Sequence, residues 1–311
     1  MGLDGLHHIT MITGDAQRTV DFYSDLLGLR LVKTTVNFDA PEAYHLYFGD
    51  ETGTPGSILT WFQFSGAPRG RAGSGMIHEI ALGVKTAEAL DFWATRLRDH
   101  GISTEPSEGA LRFRDHDGLG FALTVAAPDN PPLPASHPEV PPDFAIVGPQ
   151  GARAYGRQPT ASAALLTGTL GFAAQGGDAY RLRGEHRGFD WGYDPPPPHG
   201  GRQGAGTVHH IAWACHDEDQ LGWQQRAADA GALVTDVRDR DYFRSIYFRE
   251  PAGVLFEIAT LSPGFAVDED FDHLGESLQL PRMHEHLRPQ LERTLTPIIN
   301  PRARRRAQIG A

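Results

Sequence analysis

Cys215 is the single cysteine in 311 residues. That excludes an internal disulfide and a cysteine-rich zinc site. No apolar run reaches the roughly 18–20 residues of a membrane span. The start, Met1-Gly2-Leu3-Asp4, lacks the basic and apolar regions of a secretory signal. Basic charge is also short: 28 Lys+Arg stand against 39 Asp+Glu, a formal net charge of -11. Binding a phosphate backbone calls for a basic face, so nucleic acid is not the expected partner. Only Arg302-Ala303-Arg304-Arg305-Arg306 is basic, and it reads as a solvated end. With 40% apolar and 22% charged residues, the chain fits a globular protein, expected in the cytoplasm and acting on a small molecule.

What is present is a repeat. Leu6-His7-His8-Ile9-Thr10 returns as Val208-His209-His210-Ile211-Ala212. After the first copy, Val20, Tyr23 and Leu27 have helical spacing over 15–27, Gly28 stops the helix, and strand patterns follow at 29–37, 43–49 and 57–64. The order β-α-β-β-β begins again at 76–81, with a helix at 86–100 and strands near 110–115 and 120–126. A third, fainter copy has a strand at 151–157, a helix at 159–167, and strands at 180–183 and 188–193. The fourth has a strand at 207–214, a helix at 217–230, and strands at 233–238, 243–249 and 253–260. From His8 to Gly28 is 20 residues, from Glu79 to Gly101 is 22, and from His210 to Gly231 is 21. Such near-constant spacing marks internal repetition. The fold class is therefore α+β, with four βαβββ modules. Residues 128–142, rich in proline, read as a linker. It separates an N-terminal pair of modules, 1–127, from a C-terminal pair, 143–262, and an extension covers 263–311.

The chemistry concentrates in three places. Gly253-Val254-Leu255-Phe256-Glu257-Ile258-Ala259-Thr260 is an apolar strand with one carboxylate inside it. A buried carboxylate is costly unless paired or bound to a cation. One histidine from each His-His pair, with Glu257, makes a two-His, one-carboxylate set. Such a set suits non-haem Fe(II) because it leaves coordination positions open. Neighbouring strand residues face opposite ways, so one histidine of each pair is expected at the metal. Cys215 reads as a small buried residue, and Glu79, at the His8 position of module two, as an exposed strand carboxylate.

These stretches, together with Tyr44-His45-Leu46-Tyr47-Phe48, Gly53-Thr54-Pro55-Gly56, Arg240-Asp241-Tyr242-Phe243-Arg244-Ser245-Ile246-Tyr247 and Pro251-Ala252-Gly253, resemble the vicinal oxygen chelate superfamily. Within it the resemblance is to hydroquinone-type ring-cleaving dioxygenases. It implies Fe(II), with Mn(II) as the alternative, held by His8, His210 and Glu257. It also places Arg240 and Tyr247 near an aromatic substrate. Thr10 then shares the metal face with His8, while His7 and His209 lie behind the ligands, where they could move protons. The implied reaction opens a hydroquinone or catechol ring with O2, an extradiol-type cleavage. A homo-oligomer is compatible with this reading.

Two other functions fit the same fold. A glyoxalase-like lyase or isomerase usually needs a fourth protein ligand, and the repeat register puts Thr60 there. A drug-binding protein needs no metal set. The ligands also dictate topology. His8 lies in module one, and His210 and Glu257 lie in module four, so modules 1+4 and 2+3 should pair into two open mixed-sheet barrels.

Overall fold

The computed structural model describes residues 1–309. Module one contributes β1 (Leu6–Thr13), β2 (Arg30–Val36), β3 (Tyr44–Gly49) and β4 (Ile58–Gln63). Module two contributes β5 (Met76–Val84), β6 (Thr104–Ser107), β7 (Ala110–Arg114) and β8 (Gly120–Val125). Module three contributes β9 (Pro149–Tyr155), β10 (Ala173–Gly176), β11 (Ala179–Arg183) and β12 (Gly188–Asp194). Module four contributes β13 (Thr207–Cys215), β14 (Arg238–Asp239), β15 (Arg244–Arg249) and β16 (Leu255–Thr260). They form two eight-stranded mixed sheets, ordered β14-β15-β16-β13-β1-β4-β3-β2 and β10-β11-β12-β9-β5-β8-β7-β6. Modules one and four therefore share one sheet, and modules two and three the other, as the ligand argument requires.

Each sheet is closed at its middle by an antiparallel pair of first strands, β1 with β13 and β5 with β9. Within a module the first and last strands run parallel, as β1 with β4 and β13 with β16. The core lies between the sheets. The helix of module one puts Tyr23 against Trp61 and Phe121, and Trp191 of module three meets Trp213 and Phe256 of module four. Large aromatic faces supply most of such a core's buried area.

The helices differ by module. In module two, Thr86 caps α2 (Ala87–Asp99) by accepting from the Ala89 amide, and Gly101, φ 75°, ends it. In module one, a single helix over 15–27 is the expectation. Instead, α1 (Ala16–Val20) passes into a wider π turn at Asp21–Leu26, with the Leu27 amide bonded to Phe22 O at 2.9 Å. Module three repeats this at Ala164–Thr169, after a 3-10 turn at Pro159–Ser162. Hydrophobic spacing cannot distinguish an i→i+5 turn from an i→i+4 one over six residues. The expected strand at 233–238 shrinks to the two residues of β14, and β6 and β10 are short, mostly exposed edge strands without a clear alternation.

After β16 the chain turns back over β2. Gln279 N donates to Thr34 O at 2.9 Å, and Leu280 and Leu291 pack on Val36. Lys33, fully buried in β2, reaches Asp268 and Glu269, each at 2.5 Å. A buried ammonium needs such partners, because desolvating it alone costs several kcal/mol.

Both central pairings, β1 with β13 and β5 with β9, cross from residues before 127 to residues after 143. Expressed separately, 1–127 and 143–311 should each lack a stable fold, and co-expression should restore one. Circular dichroism and dispersed NMR spectra for either half alone would contradict this.

Candidate metal centre

Register brings the three candidate ligands to one face. In the first sheet His8 of β1 is opposite Ala212 of β13, and Ala212 is opposite Glu257 of β16. Directly opposed residues share a face, as do residues two apart on a strand. His8, Ala212, His210 and Glu257 therefore lie together, with only a methyl group at the middle position. The acceptor atoms converge: His8 Nε2 is 3.2 Å from His210 Nε2 and 3.4 Å from Glu257 Oε2, and His210 Nε2 is 2.8 Å from that oxygen.

The second histidines are placed by β-bulges. Along β1, Leu6 pairs with Trp213 and His8 with Ala212, so His7 is the extra residue. Along β13, Thr10 pairs with His210 and Met11 with Val208, so His209 is the extra one. A bulge re-aims side chains beside a site. This revises the expectation that each pair splits to opposite faces: His7 Nδ1 lies 2.8 Å from His8 Nδ1, and His209 Nδ1 lies 2.7 Å from His210 Nδ1.

Those contacts fix the proton positions. His7 Nε2 is 3.1 Å from Thr260 O, which can only accept, so Nε2 carries hydrogen. Burial, then His8, lowers the His7 pKa to about 3, so the ring is neutral and its Nδ1 accepts. His8 then donates from Nδ1, and its neutral form offers a lone pair on Nε2. This is the usual arrangement of a metal-binding histidine, whose outer nitrogen is tied to a polar group. His209, lowered to about 3 by burial and His210, can accept in the same way from His210 Nδ1.

Glu257 completes the test of fit. It is 1% exposed, and its Oε1 accepts from Ser245 Oγ. Oε2 is buried and has no aligned hydrogen bond, despite its closeness to His210. Burial raises the carboxyl pKa, but positive charge on the two imidazoles, which a divalent cation would replace, outweighs it and holds the group well below the carboxylate range. An ionised, buried oxygen without a donor, facing two imidazole lone pairs, fits a divalent cation.

The set lies at one wall of a cavity of about 380 Å³. Phe38, Phe62, Phe64 and Phe243 give it an apolar lining. Arg240 lies between two rings, 5.3 Å from Phe38 and 5.5 Å from Tyr247, and its Nε donates to Tyr247 Oη at 3.3 Å. Tyr247 is opposite Glu257 in the ladder, and burial together with Glu257 pushes its phenol pKa up.

Of the remaining sequence candidates, Thr10 is buried with its hydroxyl 3.3 Å from Thr60 Oγ1 and does not line the cavity. Cys215 is buried, and burial followed by Asp217 pushes its thiol up to about 12. Glu79 is partly buried and paired with Arg112 at 2.9 Å. Three residues escaped the sequence reading: Ser245, Phe243 and His45. His45 Nε2 meets Thr60 Oγ1 at 2.7 Å and its Nδ1 meets Tyr47 Oη at 2.9 Å. Burial, then His8 and His210, lowers its pKa well below the usual value. Its signal was present, since a histidine two residues from Tyr47 in a strand shares Tyr47's face.

Comparison with known proteins identifies the family. The family model for the glyoxalase/bleomycin resistance protein/dioxygenase superfamily matches residues 5–123 and 152–258. MhqO of Bacillus subtilis, named for ring-cleaving dioxygenase activity, is 44% identical over 301 residues, covering 94% of this chain and 96% of the relative. The chlorohydroquinone/hydroquinone 1,2-dioxygenase of Sphingobium indicum is 32% identical over 316 residues, covering 96% and 98%. A crystal structure of a B. subtilis protein described as a dioxygenase superposes with a TM-score of 0.88 at 42% identity, covering 96% and 98%.

The lowered histidine pKa values have a consequence for stability. His7 and His209 stay neutral in the fold down to about 3, whereas an unfolded histidine takes a proton near 6.5. Below about 6.5 the unfolded state binds more protons, so stability is fully present above that pH and is lost as pH falls toward 3. Each group adds a slope of up to about 1.4 kcal/mol per pH unit. Urea unfolding of metal-free protein between pH 7 and 5 should show this slope, and His7→Gln should make it shallower. Equal slopes in the two proteins would contradict the neutral buried ring.

Proposed function

The chain belongs to the glyoxalase/bleomycin resistance protein/dioxygenase superfamily, and from that premise we propose that it is a ring-cleaving dioxygenase that opens a hydroquinone or catechol with O2. The observation that carries this is the buried convergence of His8 Nε2, His210 Nε2 and Glu257 Oε2 beneath an aromatic-lined cavity. These three residues would hold Fe(II), with Mn(II) as the alternative. A metal there, when bound, supplies the Lewis-acid and one-electron chemistry that joins a diol to O2.

The chain's own residues then have separate tasks. Phe38, Phe62 and Phe243 seat a flat ring and exclude water from it. Arg240 presents a fixed fork of donors to an anionic substrate oxygen. Its charge suits a phenolate, and Tyr247, already accepting from Arg240, keeps its hydroxyl hydrogen to donate into the cavity. His7 is tied at both nitrogens, which suits holding the His8 ring in place. His209, neutral and tied at Nδ1 to His210, lines the cavity and presents Nε2–H to it, which suits donating a hydrogen bond to a substrate oxygen rather than taking up a proton. Cleavage inserts both atoms of O2 and leaves an open-chain carbonyl acid.

The lyase or isomerase reading meets an obstacle in β4. Thr60 holds the place in module one that Glu257 holds in module four, as Thr10 pairs with Thr60 and Ala212 with Glu257. Its hydroxyl is engaged by His45 and Thr10. A fourth carboxylate ligand is absent there. A role in drug binding alone leaves the buried Glu257 oxygen without a reason.

Anaerobically reconstituted with Fe(II), the protein should consume one O2 per dihydroxybenzene and give a ring-opened product carrying both labelled oxygens from 18O2. Turnover of methylglyoxal–thiol adducts, with no O2 uptake on any diol, would replace this reading. His8→Ala, His210→Ala and Glu257→Ala should each lose metal while staying folded. His209→Ala and Tyr247→Phe should retain metal and slow turnover about 10–100-fold. Full metal occupancy in Glu257→Ala would remove the basis of the assignment.

A further inference from the structure

Asp241 is the one non-glycine among the described residues with a left-handed backbone, φ 60°. It is the centre of a three-residue turn in which Tyr242 N donates to Arg240 O at 2.7 Å. A γ-turn of positive φ is rare and strained. Such a conformation persists only where its surroundings over-determine it.

Here the surroundings are the chain's C-terminal segment. Arg282 N donates to Asp241 Oδ2 at 2.9 Å, and Arg282 Nε lies 3.7 Å from Oδ1. Two residues later, buried His284 donates from Nε2 to Phe38 O at 2.8 Å. Phe38 is the ring beneath the Arg240 guanidinium, and the next residue, Asp39, approaches Arg240 Nη2 at 3.4 Å. One turn, 282–284, thus holds two loops that flank Arg240. One comes from module one and the other from module four, some two hundred residues apart in sequence.

We propose that the 282–284 turn is a positioning element of the pocket. It clamps the loops at 37–40 and 239–243 together and holds Arg240 over the cavity, between Phe38 and Tyr247. Without the clamp, the strained turn at Asp241 relaxes and the guanidinium loses its fixed aim at the substrate. Neither Arg282 nor His284 lines the cavity, so both act through Arg240. The substrate in this proposal is that of the dioxygenase reading; the clamp is defined by the protein's own contacts.

The test uses the full-length, metal-loaded protein. In His284→Ala, KM for a dihydroxybenzene, and its anaerobic Kd followed by tryptophan fluorescence, should rise about tenfold, with kcat changed less than about threefold. Mn(II) affinity should stay within about twofold of the parent. His284→Gln keeps an amide donor for Phe38 O and should recover most of the loss. In an Arg240→Met background, His284→Ala and Asp241→Gly should have little further effect, because the clamp acts through the residue already removed. Undiminished effects in that background, or a KM rise that tracks a fall in Tm and metal affinity, would overturn the proposal. If the parent turns over no diol, the dioxygenase reading fails, and the clamp is then judged by hydrogen exchange. Faster exchange at amides 38–40 and 241–243 in His284→Ala supports it, and unchanged exchange defeats it.

Discussion

The structure depends on one expensive placement, a carboxylate in the middle of an apolar, fully covered strand. Glu257 lies between Phe256 and Ile258, both 0% exposed, and only one of its oxygens has a donor. An arrangement of this kind persists where the second oxygen has a cation to meet. Around it the protein places two imidazoles whose outer nitrogens are tied to further histidines, so that bare nitrogens face the same point. The bulges at His7 and His209 serve that purpose, since a regular strand would send each pair to opposite sides of the sheet.

The same requirement explains the chain's path. Ligands at residues 8, 210 and 257 meet only if the first and last modules share a sheet, which leaves modules two and three to pair with each other. The second sheet keeps the architecture and loses the chemistry. Ala81 pairs with Gly151 as Thr10 pairs with His210, and Arg153 pairs with Gly192 as Ala212 pairs with Glu257. Glycines thus stand where a histidine and the glutamate would be. Arg153 fills the space over Gly192 and pairs with Asp194 at 2.5 Å, while Glu79, at the His8 position, is bound to Arg112. Glu79, Arg153 and Asp194 there each have a protein partner, in contrast to the open oxygen of Glu257.

Much of this was legible in the residues alone. The repeated His-His pairs, the carboxylate in an apolar run, and the spacing to Gly28, Gly101 and Gly231 were enough for the modules and their pairing, while the choice of His8 and His210 within the pairs came from the family resemblance. Local pattern failed where the backbone departs from regular geometry. The bulges reverse the facing rule for His7 and His209, and the π turns after Val20 and before Leu170 look like ordinary helix by spacing. His45 and Ser245 carry no task in the sequence, because each acts through a partner, Thr60 or Glu257, that only the sheet register brings near. The grip of residues 282–284 on the pocket loops is a contact across the whole chain, with no local signature at either end.

The central claim is that one divalent metal is bound by His8, His210 and Glu257. The most direct measurement is a crystal of Mn(II)-loaded protein with data collected at the manganese edge. The account predicts one strong anomalous peak at about 2.0–2.2 Å from His8 Nε2, His210 Nε2 and a Glu257 oxygen. No peak at that point, or a full-occupancy peak bound by other side chains, would contradict it.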